Sequence, residues 1–313
     1  ELNSRDLKRY DFIYIRYSPC GRDFIMLLSR IKRLAPNINL ILEFPTFPYD
    51  LDINSISMRI YDKQNRNQIY KYVYISVSFG NQETVLGMPC INIINGIDVS
   101  SIHKRKQEAK NSNIFSIIGV GGLSVTHGYD RIIRGIYQYN QKERTHDMKQ
   151  IRFDIVGNGS IKKELYKLVK KLKLENIVFH GQKSGKELEQ LYAHANIGVG
   201  AIAMHRRYHV PIASPLKTKE YCAIGLPFIR TEKDFVFDQH PCDFTILCAE
   251  DNSAVDIQGV IDFQRALSAK YEPEALIDNI RSYANNYLNW EATLLPVIDW
   301  LYAKHRMVKR EIL

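Results

Sequence analysis

The sequence predicts an α/β fold in two parts, the second a doubly wound parallel sheet. Three observations carry this. From residue 115 onward, short apolar strands alternate with helical stretches in a largely regular β–α rhythm. The first hundred residues hold apolar, β-branched runs bounded by Pro and Gly, as buried strands are. Between the halves, Asn95-Gly-Ile-Asp98 reads as a turn, and the polar, charged stretch 99–112 reads as a linker.

In the first part, the predicted strands are 12–18, 39–45, 72–78 and 90–94, with an amphipathic helix over 22–34. The segment 46–70, rich in Tyr, Asp and Asn, resists assignment. In the second part, strands are expected at 115–120, 152–156, 177–180, 197–201, 228–230 and 244–247. Helices are expected near 129–142, 160–173, 185–194 and 215–224, followed by three more at 254–268, 273–287 and 290–307. A doubly wound sheet of this kind places its ligand crevice at the carboxyl ends of the strands.

Composition bounds the partners. At 313 residues and 45% hydrophobic content, the chain has the material for two ordinary domains and is not a disordered protein. No apolar run approaches the length needed to span a bilayer. The start, Glu-Leu-Asn-Ser-Arg-Asp, lacks both a signal-peptide pattern and an initiator methionine, which suggests a trimmed or partial chain. Five scattered cysteines without metal-ligand spacing read as reduced cytosolic thiols. A formal charge of +9 favours anionic partners. The lysines at 162, 163, 167, 170, 171 and 173 read as a solvated helix face. With no aromatic–basic RNA signature and no zinc-finger spacing, a nucleic-acid partner is not expected.

The richest stretch is Ser214-Pro-Leu-Lys-Thr-Lys-Glu-Tyr-Cys-Ala-Ile-Gly-Leu-Pro-Phe-Ile229. It predicts a helix with Ser214 as N-cap, Pro215 at the first helical position and Gly225 at the C-terminal end. Lys217 lies in the first turn, where the helix dipole opposes its charge, and one turn before Glu220. An anion docked on the helix end would resolve that conflict, and Glu220 would then accept hydrogen bonds from hydroxyls attached to the anion. A surface Lys217–Glu220 ion pair explains the same residues, and both readings stand at this point.

Glu-Tyr-Cys-Ala-Ile-Gly-Leu-Pro resembles the Glu-x-x-x-x-Gly-x-Pro signature of family 4 retaining glycosyltransferases of GT-B architecture, and Ser-Pro-Leu-Lys is similar to a variant common in them. Gly121-Gly-Leu-Ser-Val-Thr-His-Gly128, Val156-Gly-Asn-Gly159, Phe179-His-Gly181 and Leu191-Tyr-Ala-His-Ala-Asn196 resemble further landmarks of the family in order and spacing. The resemblance covers nearly the whole chain. It implies two Rossmann-like domains, 1–108 on the acceptor side and 109–313 binding the donor, with 1–108 the latter part of a longer domain. It implies transfer of a sugar from a UDP- or GDP-linked donor to a glycan or lipid-linked acceptor, with retention. No metal and no cofactor beyond the nucleotide-sugar substrate are expected. Peripheral association with an anionic membrane, from the cytoplasmic side, follows from resemblance plus basic charge.

The implied site residues follow from the motifs. Glu220 holds the donor ribose and Lys217 the diphosphate, with Ser214, Leu216 and Thr218 around the helix N-terminus. Gly121 and Gly122 let the backbone approach a phosphate closely; a tight turn explains them as well. The family commonly has an arginine after the first glycine and a lysine before the last. Here those places hold Gly122 and His127, and His127 would carry charge only with its pKa raised by phosphates. Arg206 and Arg207 are candidates for the missing positive charge, against a solvated loop as the plain alternative. Asn158 and Gly159 form a strand-to-helix turn that would lie near the nucleotide or simply cap the following helix. The family's paired glutamate, eight positions before Glu220, is replaced by Ile212. In the first part, Arg16, Glu43, Thr46 and Tyr49 are candidates for acceptor hydroxyls, and Asp50-Leu-Asp52 reads as loop polarity. The missing arginine and glutamate keep a non-catalytic sugar- or partner-binding relative open as an alternative, and an epimerase of the same architecture behind it.

Overall fold

The computed structural model describes residues 4–311 apart from 8, 19–20, 54, 107–112, 144–147, 208–212, 233 and 235. The chain forms two compact units, residues 1–94 with 293–313, and residues 95–292. The first runs α1 (Ser4–Leu7), β1 (Phe12–Arg16), α2 (Gly21–Leu34), β2 (Asn39–Phe44), α3 (Ile56–Arg66), β3 (Ile75–Ser78), β4 (Thr84–Val85) and β5 (Met88–Asn92). Its sheet has the order β1-β2-β3-β5-β4, parallel except for the β4–β5 hairpin. Four of these strands fall on the apolar runs expected from sequence, and β4 was not expected. Residues 72–74 drop out of the third, because Tyr72 and Val73 donate to the Ile69 carbonyl and close a 3-10 turn there. The unassigned segment contains α3, whose start is capped by the Ser55 hydroxyl accepting from Met58 N.

The second unit continues with β6 (Ile114–Val120), α4 (Tyr129–Asn140), β7 (Gln150–Val156), α5 (Lys162–Lys171), β8 (Ile177–Gly181), α6 (Gly185–His194), β9 (Ile197–Val199), α7 (Leu216–Ile224), β10 (Phe228–Arg230), α8 (Val236–Gln239), β11 (Thr245–Leu247), α9 (Ile257–Lys270) and α10 (Pro273–Tyr287). The last helix, α11 (Trp290–Glu311), ends the chain's described part. The six-stranded sheet is parallel throughout, in the order β11-β10-β9-β6-β7-β8. Strand order reverses at β6, so the crevice of this doubly wound sheet opens beyond the carboxyl end of β6. Phe115, Ile117, Phe153, Ile155, Ile197 and Val199 fill its core against α4 and α9. Among the described residues no helix is long and apolar enough to cross a membrane.

The division differs from the 1–108 and 109–313 boundaries read from the polar linker. Asn95 already bonds into the second unit, its N–H and side-chain amide donating to the Ser214 hydroxyl and carbonyl at 2.9 and 2.6 Å. Arg105 likewise donates to the Gly225 and Ala195 carbonyls. At the other end, Val297 packs into the first unit with Ile41, Ile75, Val77 and Ile93. Polarity marked the segment as solvated, but hydrogen bonds to remote carbonyls tie it down.

Helix α7 is anchored from inside by an ion pair. Lys219 is fully buried, donates to Asp234 at 2.5 Å, and shares that carboxylate with the Thr218 hydroxyl. We expect Asp234→Ala to lower unfolding free energy by roughly 3–5 kcal/mol, since it strands a buried ammonium. The double change Lys219→Met with Asp234→Leu should recover most of that loss. Denaturant midpoints of the three proteins check it; equal midpoints for the single and double variants would contradict the pairing.

Candidate functional site

Two glycine turns interlock at the crevice. The Gly121 N–H donates to the Val156 carbonyl at 3.0 Å and the Leu123 N–H to the Asn158 carbonyl at 2.8 Å. A Cβ on Gly157, whose φ is +127°, would lie 2.0 Å from the Gly121 carbonyl oxygen. One on Gly159 would lie 2.3 Å from that of Leu123. Only glycine allows backbones this close, so the ends of β6 and β7 are locked together. Beyond Gly121, a 3-10 turn over Val125–His127 leads into α4 through Gly128 in the left-handed region.

Helix α7 points its N-terminus at this turn. It begins at Leu216 with Pro215 as the capping residue, and among the described residues no side chain caps its first N–H groups. The expectation of Ser214 as N-cap and Pro215 inside the helix is therefore corrected. The Ser214 hydroxyl is taken by the Asn95 N–H instead, so those N–H groups keep no acceptor within the helix. Gly225 ends the helix as expected, at φ +81°, with its N–H donating to Cys222 and that of Leu226 to Tyr221.

Lys217 and Glu220 do not form a surface ion pair. Lys217 Nζ donates to the Tyr129 hydroxyl at 3.0 Å and sits 4.9 Å from that ring's centre. Glu220 accepts from the Tyr192 hydroxyl at 2.8 Å. Burial pulls the Lys217 pKa down to about 7, against the upward pull of the Glu220 charge. His127 shares the spot: a Cβ on Gly121 would meet His127 Cε1 at 3.2 Å and Lys217 Nζ at 3.8 Å. Its Nδ1 is buried and has no hydrogen-bond partner among the described residues. Burial first, and then the Lys217 charge, hold the His127 pKa near 3, so the imidazole is neutral.

The other sequence candidates divide. Gly121 and Gly122 follow the crevice end of β6, His127 and Lys217 lie against Gly121, Asn158 and Gly159 form the adjoining turn, and Leu216 and Glu220 lie on α7. The Asn158 side chain accepts from Lys162 at 2.8 Å. Thr218 turns inward, its hydroxyl held by Asp234 and the Pro215 carbonyl. Arg206 makes a two-pronged pair with Asp130, at 2.6 and 3.0 Å, and a bond to Asn252, so its charge is answered inside the protein. Arg207 ends the same 3-10 turn and is exposed. Ile212 lies outside the described residues.

In the first unit, Glu43 accepts from both Tyr14 and Arg16 at 2.7 Å, and Thr46 sits partly exposed beyond the end of β2. Tyr49 is corrected as an acceptor-side candidate. It is buried, and its hydroxyl is spent on Asp62 at 2.9 Å and Tyr17 at 3.1 Å. Asp50 pairs with Arg66 at 3.1 Å, in keeping with a structural loop. Sequence reasoning missed Tyr129 and Tyr192, which hold Lys217 and Glu220. Tyr192 stood within a quoted landmark, and nothing in its spacing pointed to Glu220.

The model of the family described as glycosyl transferases group 1 matches residues 100–281, more than half of the chain. The chain belongs to that glycosyltransferase family. Among solved structures it is similar to Anabaena HepE in complex with UDP, at a TM-score of 0.63 and 13% identity, over 96% of this chain and 80% of that one. A glycosyltransferase from Rickettsia africae superposes at 0.60 with 13% identity, over 95% and 78% of the two chains. The lipopolysaccharide outer core galactosyltransferase WaaB in its apo form gives 0.57 at 13%, over 96% and 78%. These likenesses show the GT-B fold. No match was found among curated protein sequences.

The folded-state pKa of Lys217 lies below its ordinary value of 10.5. Its protonated form therefore opposes folding, in full below about pH 7 and not at all above 10.5. Lys217→Met should accordingly raise the melting temperature more at pH 6 than at pH 9. Thermal unfolding at both values tests this, and an equal or reversed difference would show that burial does not oppose the charge.

Proposed function

We propose that the chain transfers a sugar from a UDP- or GDP-linked donor to a glycan or lipid-linked acceptor, with retention at the anomeric carbon. The observation that carries the reading is the approach of Lys217, in the first turn of α7, to the Gly121 turn, with no side-chain cap on that helix end among the described residues and the Glu220 carboxylate one helical turn away. Diphosphate oxygens match the first three and ribose hydroxyls the last. The family membership and the UDP held by the Anabaena structure agree with such a donor.

In this reading catalysis is mainly positioning and electrostatic stabilisation of the departing diphosphate. Lys217 and the α7 N–H groups meet the developing negative charge, Gly121 and Gly122 let the backbone come close, and Asn158 and Gly159 border the nucleotide. Neutral His127 offers its unpartnered Nδ1 as a hydrogen-bonding group rather than a charge. Arg206 and Arg207 are the proposed loop cations, and Arg206 would have to leave Asp130 to meet a phosphate. Arg16, Glu43 and Thr46 are proposed for the acceptor, and the scheme needs neither metal nor cofactor. An acceptor at the cytoplasmic face of an anionic membrane would suit the basic charge.

Calorimetric titration with UDP, GDP and their sugar conjugates tests the donor site. Binding of one nucleotide should weaken by roughly 10- to 100-fold in both Lys217→Ala and Glu220→Ala. Nucleotide binding unchanged in both variants, or absent from the folded wild type, would overturn the site. The pH dependence adds a second readout. A bound diphosphate raises the Lys217 pKa from about 7, so binding takes up a proton above neutrality. Affinity should fall from pH 7 to pH 9 in the wild type, and the fall should flatten in Lys217→Ala.

A further inference from the structure

A second cavity of this unit lies elsewhere. It has a volume of about 720 Å³ and is walled by the segment 100–106, one face of α6, the last residue of α7 and Arg281 of α10. None of Gly121, His127, Lys217 or Glu220 lines it. Its size falls within the range of small-molecule pockets, about 300–1,000 Å³.

The charge around it is one-sided. Among the described residues, five cations line it, Lys104, Arg105, Lys106, Lys186 and Arg281, against one carboxylate, that of Glu189. Glu189 faces His103 at 3.2 Å, and Lys104 is answered from outside the cavity by Glu274 and Asp278 at 2.7 and 2.8 Å. The two arginines are bound to carbonyls rather than carboxylates: Arg105 to Gly225 and Ala195, Arg281 to Val99, Ile102 and Ala223. Their hydrogen bonds go to carbonyls, and among the described residues no carboxylate pairs with either. Lys106 and Lys186 are exposed, and neither has an acidic partner among the described residues. Two rigid guanidinium groups thus set a positive wall, with two free ammonium groups beside it. Holding like charges around a hollow costs free energy that a multivalent anion would recover.

We propose that this cavity binds a phosphate-bearing small molecule, at a site separate from the proposed donor crevice. Lys106 and Lys186 close on the phosphate, and Arg105 and Arg281 supply the field without leaving their carbonyls. The cavity touches the crevice through one side chain. Tyr192 lines the cavity, and its hydroxyl holds Glu220.

The test is a titration of the intact chain with inorganic pyrophosphate. It compares the wild type, Lys217→Ala, the pair Lys106→Glu with Lys186→Glu, and a control pair of the same charge change on α5, Lys163→Glu with Lys167→Glu. All substituted lysines of the two pairs are exposed, and melting temperatures confirm folding. A binding event should persist in Lys217→Ala and in the α5 pair, and weaken by roughly tenfold or more in the cavity pair. Three outcomes would overturn the site: no binding to the wild type, loss in Lys217→Ala alone, or equal weakening in both pairs. The second assigns the anion to the donor crevice, the third to diffuse surface charge. Flotation with vesicles carrying phosphatidic acid identifies the source. Capture lost only in the cavity pair makes the ligand a lipid phosphate, and absence of capture a soluble one. Because Lys217→Ala reports the donor crevice separately, failure of either site is told apart from failure of the other.

Discussion

The buried pair of Lys219 and Asp234 fixes the rotation of α7, and the chemistry of the crevice depends on that rotation. On a helix, residues two apart lie about 200° from each other. With Lys219 turned into the core, Lys217 must face the opposite way, toward Gly121, and Glu220 follows about 60° from it. The carbonyl end is held as firmly. Arg281 donates to Ala223, the Arg105 N–H to Ile224 and its side chain to Gly225. Cations at a helix C-terminus also complement its dipole. The helix is therefore gripped at its inner face and its far end, which leaves the N-terminus as the part turned to the crevice.

Much of this was legible in the sequence because it is local. The β–α rhythm gave the parallel sheet, and Gly225 marked the end of α7 because a left-handed residue is needed there. Long-range partners were not legible. Ser214 has every property of an N-cap, but its hydroxyl is claimed by Asn95, 119 positions away. Tyr129 lies 88 positions from Lys217, and Tyr192 lies 28 from Glu220. Tyr49 reads from sequence as a candidate for acceptor hydroxyls toward a strand end. The buried carboxylate of Asp62, thirteen positions on, drew it inward. In each case the partner lies outside the local stretch, and propensity is silent about it.

The first unit spends its polar groups on itself. Tyr17, Tyr49 and Asp62 satisfy one another beneath α3, with Arg66 bridging Asp62 and Asp50. A buried carboxylate with three donors is stable without any ligand. Glu43 is different. It is nearly buried, but its Arg16 partner is 62% exposed, so that pair can exchange its cation for another group at little cost. Among the candidates of this unit, Glu43 has the chemistry of a site and Tyr49 that of a core.

In the second unit, the arrangement of charge around α7 has one more consequence. Lys217 and Glu220 are spaced to pair, and a direct pair in a partly buried crevice would have to be broken before either could serve a ligand. Tyr129 and Tyr192 prevent this by taking one partner each. A neutral hydroxyl satisfies hydrogen bonding without neutralising charge, so the ammonium and the carboxylate both keep their fields. Arg206 shows the contrary case: two hydrogen bonds to Asp130 hold it and also cancel it. In the proposed reading, the difference between a charge that anchors the fold and one that serves a ligand lies in the partner, an anion in the first case and a phenol in the second.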